Sequence, residues 1–310
     1  MGLNRRRQAL YRAGLIIGGL LFFYQVWGGL QAISGNDLHV LTVAPLLAGW
    51  AIICLAFALQ MLAWSCLMRG LGYWLSWRSV ASGYMLSFLP RYIPGTVWGY
   101  VSRSEWLYRS CGVSYSASNA GSILEVMVSV STGGVVILVR FLAEAGEPLR
   151  MLLAFTVLTL PFLVWWAVTQ SVQRFSSVRL VQRAVDTRLL SEIPLVYWLG
   201  ASAIYIGIWV CYGALIGFVL QAFSLEQPFG LIGSMFAFSA SWLIGFAILF
   251  VPTGLGIREI MLSTILTAEV GIAPGIAVVA SVMSRFAILL AEVLWLLVGI
   301  AITRFLTEVR

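Results

Sequence analysis

Six stretches of this chain, at about residues 12–33, 40–68, 115–141, 150–171, 194–222 and 274–303, are too long and too apolar to be kept in water. A helix that crosses the roughly 30 Å hydrocarbon core of a bilayer needs about 20 predominantly apolar residues, and each stretch supplies them. In lipid the backbone has no water to pair with, so such stretches close their hydrogen bonds internally, as helices. Composition agrees: 61% of the 310 residues are hydrophobic and 10% are charged, against about 25% charged in soluble domains. The sequence therefore predicts an all-α, polytopic membrane helix bundle. It reads as a single transmembrane domain over residues 1–310, with no soluble catalytic domain.

Two further apolar regions, about 79–110 and 228–269, are interrupted. The first breaks at Pro90-Arg91-Tyr92-Ile93-Pro94-Gly95 and the second at Pro252-Thr253-Gly254-Leu255-Gly256. Proline removes a helical donor and glycine weakens a helix, so each region should be two short helices around an unwound point. The shorter arm of the first covers about 18 Å, too little to cross the core. That predicts a re-entrant hairpin with its tip near mid-membrane. The leading arm of the second, 229–251, is long enough to cross. The expected layout is thus six spans plus two broken or re-entrant segments.

The order of elements repeats, at about 40–141 and 194–303. Gly112-Val113-Ser114 follows Pro94 by 18 residues, and Gly271-Ile272-Ala273 follows Pro252 by 19. Arginine placement sets the orientation. With the N-terminus inside, Arg5, Arg6, Arg7, Arg12, Arg69, Arg78, Arg103 and Arg109 fall on the cytoplasmic side. So do the four arginines of the 173–192 connection, Arg304 and Arg310. Only Arg140 and Arg150 fall outside, a strong positive-inside bias. This predicts a multi-pass cell-membrane protein with both termini cytoplasmic, and two halves in opposite orientation. Paired broken segments in inverted repeats are the best sequence pointer to a transporter site. The apolar run after Arg7 reads as an uncleaved first helix, not a signal peptide.

The net charge of +7 comes entirely from arginine, with no lysine in the chain and one histidine, His39. That excludes a P-loop or Schiff-base lysine and argues against a histidine-based zinc site or a Ser-His triad. The four cysteines form no CxxC pair. No cofactor, metal or nucleic-acid partner is expected, nor enzymatic activity; a homo-oligomer is left open.

Six charges fall within apolar segments: Arg91, Arg258, Arg285, Glu125, Glu259 and Glu292. Each costs about 2.5–3.5 kcal/mol at a helix centre unless it is paired, wetted or bound to something. Ser118, Ser122, Glu125, Ser129 and Thr132 share one helical stripe, and Arg285 and Glu292 share another. Both stripes should face inward. The helices expected after Pro94-Gly95-Thr96 and after Gly254 start inside the membrane, where free N–H groups favour an anion. Arg91 and Arg258 lie beside those starts, and a guanidinium fork suits a pair of phosphate oxygens. Arg91, Gly95, Thr96, Gly254, Arg258 and Arg285 are therefore the candidate substrate-binding residues. Glu125, Glu259 and Glu292 are the candidates for charge pairing with these arginines, or for proton coupling.

At these residues the chain resembles a known family. Phe88-Leu89-Pro90-Arg91-Tyr92-Ile93-Pro94-Gly95-Thr96-Val97-Trp98 is similar to the (K/R)YIPGxVW segment of the lysylphosphatidylglycerol synthase transmembrane family. Pro252-Thr253-Gly254-Leu255-Gly256-Ile257-Arg258-Glu259 is similar to its P(G/A)GLGxRE segment. Glu125 and Arg285 sit where that family often carries charges. Val126 departs from the usual arginine after the glutamate, and Thr253 from the usual glycine or alanine. The resemblance implies the lipid-translocating half, as a stand-alone member without the soluble synthase domain. The expected partner is a membrane lipid with an anionic or phosphate-bearing headgroup, moved between leaflets. Two alternatives are a secondary transporter of a small anion and a membrane component of lipid-linked glycan assembly.

Overall fold

The computed structural model describes residues 42–88, 90–92, 98–175, 186–223, 230–248 and 254–308, with scattered helical positions between Gly19 and Gln31. Most of the expected 12–33 span, positions 93–95 and 252–253 of the two expected breaks, and half of the 173–192 connection lie outside the described residues.

Among the described residues all regular structure is helical. The order is α1 (Val43–Gly70), α2 (Trp77–Leu86), a single 3-10 turn (Pro90–Tyr92), α3 (Trp98–Cys111), α4 (Tyr115–Glu144), α5 (Glu147–Phe175) and the short α6 (Thr187–Ser191). Then come α7 (Leu195–Ala222), α8 (Gly230–Ala247), α9 (Ile257–Val270) and α10 (Pro274–Glu308). Five stretches are long and apolar enough to cross a membrane: Val43–Gly70, Tyr115–Leu142, Leu195–Ala222, Gly230–Ala247 and Pro274–Thr303. The bent pair Glu147–Val157 and Thr159–Ser171, which meet at 46°, makes a sixth if it is counted as one span. Pro161 explains that bend, because its ring clashes with the carbonyl four residues earlier, on Val157. The chain is a multi-pass membrane protein. α8, which the sequence left between spanning and re-entrant, is 18 residues, or about 27 Å long.

Helix ends follow local chemistry. The Ser76 hydroxyl accepts the Ser79 N–H at 3.2 Å to start α2, and Ser114 accepts the Ala117 N–H at 3.2 Å to start α4. α2 and α3 are 10 and 14 residues long, about 15 and 21 Å, so neither crosses alone. They pack against each other. Val80 to Met85 is buried continuously.

The element order repeats. In each half a 28-residue helix (α1, α7) precedes a shorter one (α2, α8). Then a 14-residue helix (α3, α9) ends at a left-handed glycine, Gly112 or Gly271, each with φ 67°. A long span, α4 or α10, begins three residues later. Glycine is required at both positions because a side chain there would strain the backbone.

By contact density the chain forms two compact units. One holds the described residues of 1–55, 91–97 and 209–292; the other holds those of 56–90, 98–208 and 293–310. Each packs without a hydrophobic drive between its helices, since lipid is as apolar as leucine, so close approach must do the work. In the first unit, a Cβ on Gly213 of α7 would lie 2.5 Å from Met235 Cγ and 2.9 Å from its backbone nitrogen, on α8. In the second, the indole N–H of Trp198 donates to Pro161 O at 2.8 Å, and that of Trp165 to Ile193 O at 3.1 Å.

Candidate functional site

Each unit contains its own buried cluster of charges. In the second unit, Glu125 is 5% exposed and Arg103 is 1% exposed. Arg103 Nη1 donates to Glu125 Oε2 at 2.7 Å. The other carboxylate oxygen accepts Tyr84 OH at 2.5 Å and Tyr205 OH at 3.2 Å. The guanidinium lies 4.0 Å from the Tyr84 ring centroid and 4.8 Å from that of Trp64. The cluster therefore joins α1, α2, α3, α4 and α7. Both oxygens of the carboxylate are occupied, and the cation sits against aromatic faces that suit it. This is a buried ion pair.

The cluster in the first unit is looser. Arg258 and Glu259, at the start of α9, meet Arg285 from the middle of α10. Arg285 lies about 17 Å along α10 from its start. Glu259 is 2% exposed and Arg285 4% exposed. Their closest approach, Arg285 Nε to Glu259 Oε1, is 3.6 Å, longer than a hydrogen bond. The second oxygen of Glu259 accepts the Gly256 backbone N–H at 2.6 Å, so the carboxylate caps α9. Farther along α10, Glu292 accepts Tyr92 OH at 2.5 Å and lies 3.5 Å from Arg91 Nη1. The Tyr92 ring centroid is 5.8 Å from the Arg285 guanidinium carbon.

Arg258, Glu259 and Arg285 line a half-open cleft with Ser241, Ser281 and Ser284, backed by Phe238, Leu262 and Ile288. The free space is about 280 Å³ counted out through the mouth, and the enclosed part takes about one water molecule. The three serine hydroxyls donate to carbonyls of their own helices at 2.7–2.8 Å. The charged donors facing the cleft are therefore the arginines. Arg258 is held by shape: a Cβ on Gly245 would stand 2.3 Å from its Cγ, and one on Gly254 3.0 Å from its Cγ and Cδ. Gly254 also has φ 67°. The guanidinium lies 5.5 Å from the Trp242 ring centroid, a ring stacked in turn on Phe246.

The sequence model of the family described as "Lysylphosphatidylglycerol synthase TM region" matches residues 12–295. The chain belongs to that family. The match covers nearly all of the 310 residues, including both charge clusters. No curated protein matches the chain.

Within this chain, the residues singled out from sequence fall into four groups. Arg258, Glu259 and Arg285 converge on one cleft, with Gly254 against the Arg258 stem. Arg91 and Glu292 pair with each other and reach Arg285 through Tyr92. Gly95 and Thr96 lie outside the described residues. Glu125 departs from expectation, since its partner is none of the three intramembrane arginines but Arg103, delivered by α3 across the short Gly112 turn. The inward stripe Ser118, Ser122, Glu125, Ser129 and Thr132 is buried as expected. Arg103, counted from sequence only among the arginines of the cytoplasmic side, is buried. The clue was its place on the stripe Gly99, Arg103, Ser104 and Leu107, which is the buried face of α3. Tyr84, Tyr92 and Tyr205 carried no such clue, because intramembrane tyrosines mostly serve packing or interface belts.

Proposed function

We propose that this member of the family moves a phosphate-bearing, anionic lipid between the leaflets, holding the headgroup at the cleft of Arg258 and Arg285. The observation that carries the reading is the convergence of Arg258 and Arg285 near the start of α9, on a cleft open on one side. Guanidinium groups bind phosphate oxygens through paired donors, and N–H groups at a helix start favour anions. Charges at this depth are costly and are kept for function or pairing. A half-open cleft suits a lipid whose headgroup enters while its tails stay in the bilayer. Arg91, partly exposed, would meet the headgroup on its way to Arg285. In this reading the two repeats are inverted, α2 and α3 form a re-entrant hairpin, and both termini are cytoplasmic.

The test is translocation in reconstituted vesicles, scored by quenching a fluorescent headgroup from outside. Wild type should move a labelled phosphatidylglycerol faster than protein-free vesicles, and Arg285→Gln should reduce that to background. If wild type instead accumulates free radiolabelled phosphate and moves no lipid, the small-anion reading replaces this one. A subtler variant tests geometry without touching charge. Gly245→Ala should favour an isolated helix by about 1 kcal/mol. Its Cβ would also displace the Arg258 stem, and a shift of about 1 Å in a site can cost roughly a hundredfold in rate. Translocation should therefore fall at least tenfold while the protein still purifies as a folded species. Unchanged translocation would mean that Arg258 need not be where it is.

A further inference from the structure

We infer that Trp242 is the positioning residue for Arg258, its ring setting the plane in which the guanidinium fork meets a phosphate. The inference rests on the lipid-site reading above. Phe238, Ser241, Trp242 and Gly245 recur along α8 at the i, i+3, i+4, i+7 spacing of one helix face. Phe238 and Ser241 line the cleft, and Gly245 makes room for the Arg258 stem. A Cβ on Gly245 would stand 2.3 Å from Arg258 Cγ and 3.1 Å from Cδ, and one on Gly254 would stand 3.0 Å from each. The two glycines thus confine the stem as far as Cδ. Beyond it, rotation about the Cδ–Nε bond still turns the plane of the fork.

The Trp242 ring acts on that rotation. The guanidinium carbon lies over the ring, 5.5 Å from its centroid, inside the roughly 6 Å reach of a cation–π attraction. The ring is itself fixed. It stacks on Phe246 with centroids 5.2 Å apart and 2° between the planes, and meets Trp209 of α7 edge-on at 5.6 Å. One turn earlier on α8, Phe238 stacks on Tyr212 of α7 at 4.3 Å, which ties the same face to the neighbouring helix. A ring face holds a cation through its quadrupole and supplies no oxygen that competes with a phosphate for N–H donors. This contact acts on the plane of the fork whichever other partners Arg258 has. A fork ordered in advance loses less side-chain freedom when it grips a ligand, and the difference appears as affinity.

The experiment measures binding of short-chain phosphatidylglycerol to the full-length protein in detergent. Wild type is compared with Arg258→Lys, and the same pair is compared again in Trp242→Leu and in Trp242→Phe backgrounds. Lysine keeps the charge but has no plane to set. With Trp242 in place, arginine should bind the lipid about tenfold more tightly than lysine. In Trp242→Leu the two should differ by less than about twofold, and Trp242→Phe, which keeps an aromatic face, should restore most of the difference. A ratio taken within one background cancels any general effect of position 242 on folding, so a merely structural tryptophan leaves it unchanged. An unchanged ratio in Trp242→Leu overturns the inference, as does a Trp242→Phe protein that behaves like Trp242→Leu. If Trp242→Leu does not purify folded, Phe246→Leu takes its place, because it removes only the ring stacked on Trp242. It should lower the ratio at least twofold, and an unchanged ratio there overturns the inference too. A ratio near one with Trp242 in place overturns it as well, and leaves the lipid-site reading standing. That reading fails separately, if Arg258→Gln binds the lipid as tightly as wild type does.

Discussion

Replacing Arg103 with Gln should destabilise the protein by about 3–5 kcal/mol, and adding Glu125→Gln should restore most of the loss. The single change leaves a buried carboxylate with two phenol donors and no countercharge. It also removes a cation from the faces of Tyr84 and Trp64, a contact worth up to about 2 kcal/mol when desolvated. The double variant keeps a hydrogen-bonding pair of similar size without either charge. Replacing both members of a buried ion pair is often neutral or stabilising, whereas breaking it is costly. Thermal melts of the wild type, both single variants and the double variant, in detergent, would measure the coupling. An Arg103→Gln protein as stable as wild type would show that the pair does not hold its five helices together. A double variant that recovers stability but loses translocation would move this cluster from the scaffold into the mechanism.

That outcome matters because the two units carry the same pairing with the signs reversed. In one, the arginine is on the 14-residue helix α3 and the glutamate on the span α4. In the other, the glutamate is on α9 and the arginine on α10. The spans themselves were legible in sequence, because hydropathy over about 20 residues is a strong constraint in lipid. The bend at Pro161 was legible in principle, as proline in a helix has a fixed steric consequence, yet the 150–171 stretch reads as uninterrupted on hydropathy alone. Arg103 was hidden because counting arginines by side of the membrane treats every charge near a helix end as wet. Only the register of α3 shows that this one points inward. The pairing of Glu125 was hidden for a related reason. Partners were sought among arginines inside apolar runs, whereas a neighbour across a three-residue turn lay closer. The room that Gly245 and Gly254 leave for Arg258 could not be read at all, because it depends on how α8 and α9 pack.

Arg258→Gln should cost lipid translocation about a hundredfold or more, while thermal stability falls by no more than about 2 kcal/mol. The activity estimate follows from losing a charged partner of a desolvated phosphate, worth about 2–5 kcal/mol. The stability figure is the size of the cation–π contact with Trp242, about 2 kcal/mol when desolvated. Glutamine fills much of the channel left by Gly245 and Gly254, so no large cavity opens. Arg258→Lys restores the charge but not the planar fork, and should recover only part of the rate. The rival account makes Arg258 a structural counter-ion for Glu259, one residue away on α9. On that account Arg258→Gln strands a buried carboxylate and destabilises the protein by about 3–5 kcal/mol. A second change, Glu259→Gln, would then rescue both stability and translocation. On the lipid-site account the second change cannot rescue translocation, because the donor that grips the phosphate is still missing. Vesicle translocation and melting temperature, measured on the single variants and the double variant, separate the two. A destabilised Arg258→Gln protein restored to full activity by Glu259→Gln would end the case for Arg258 as a phosphate ligand.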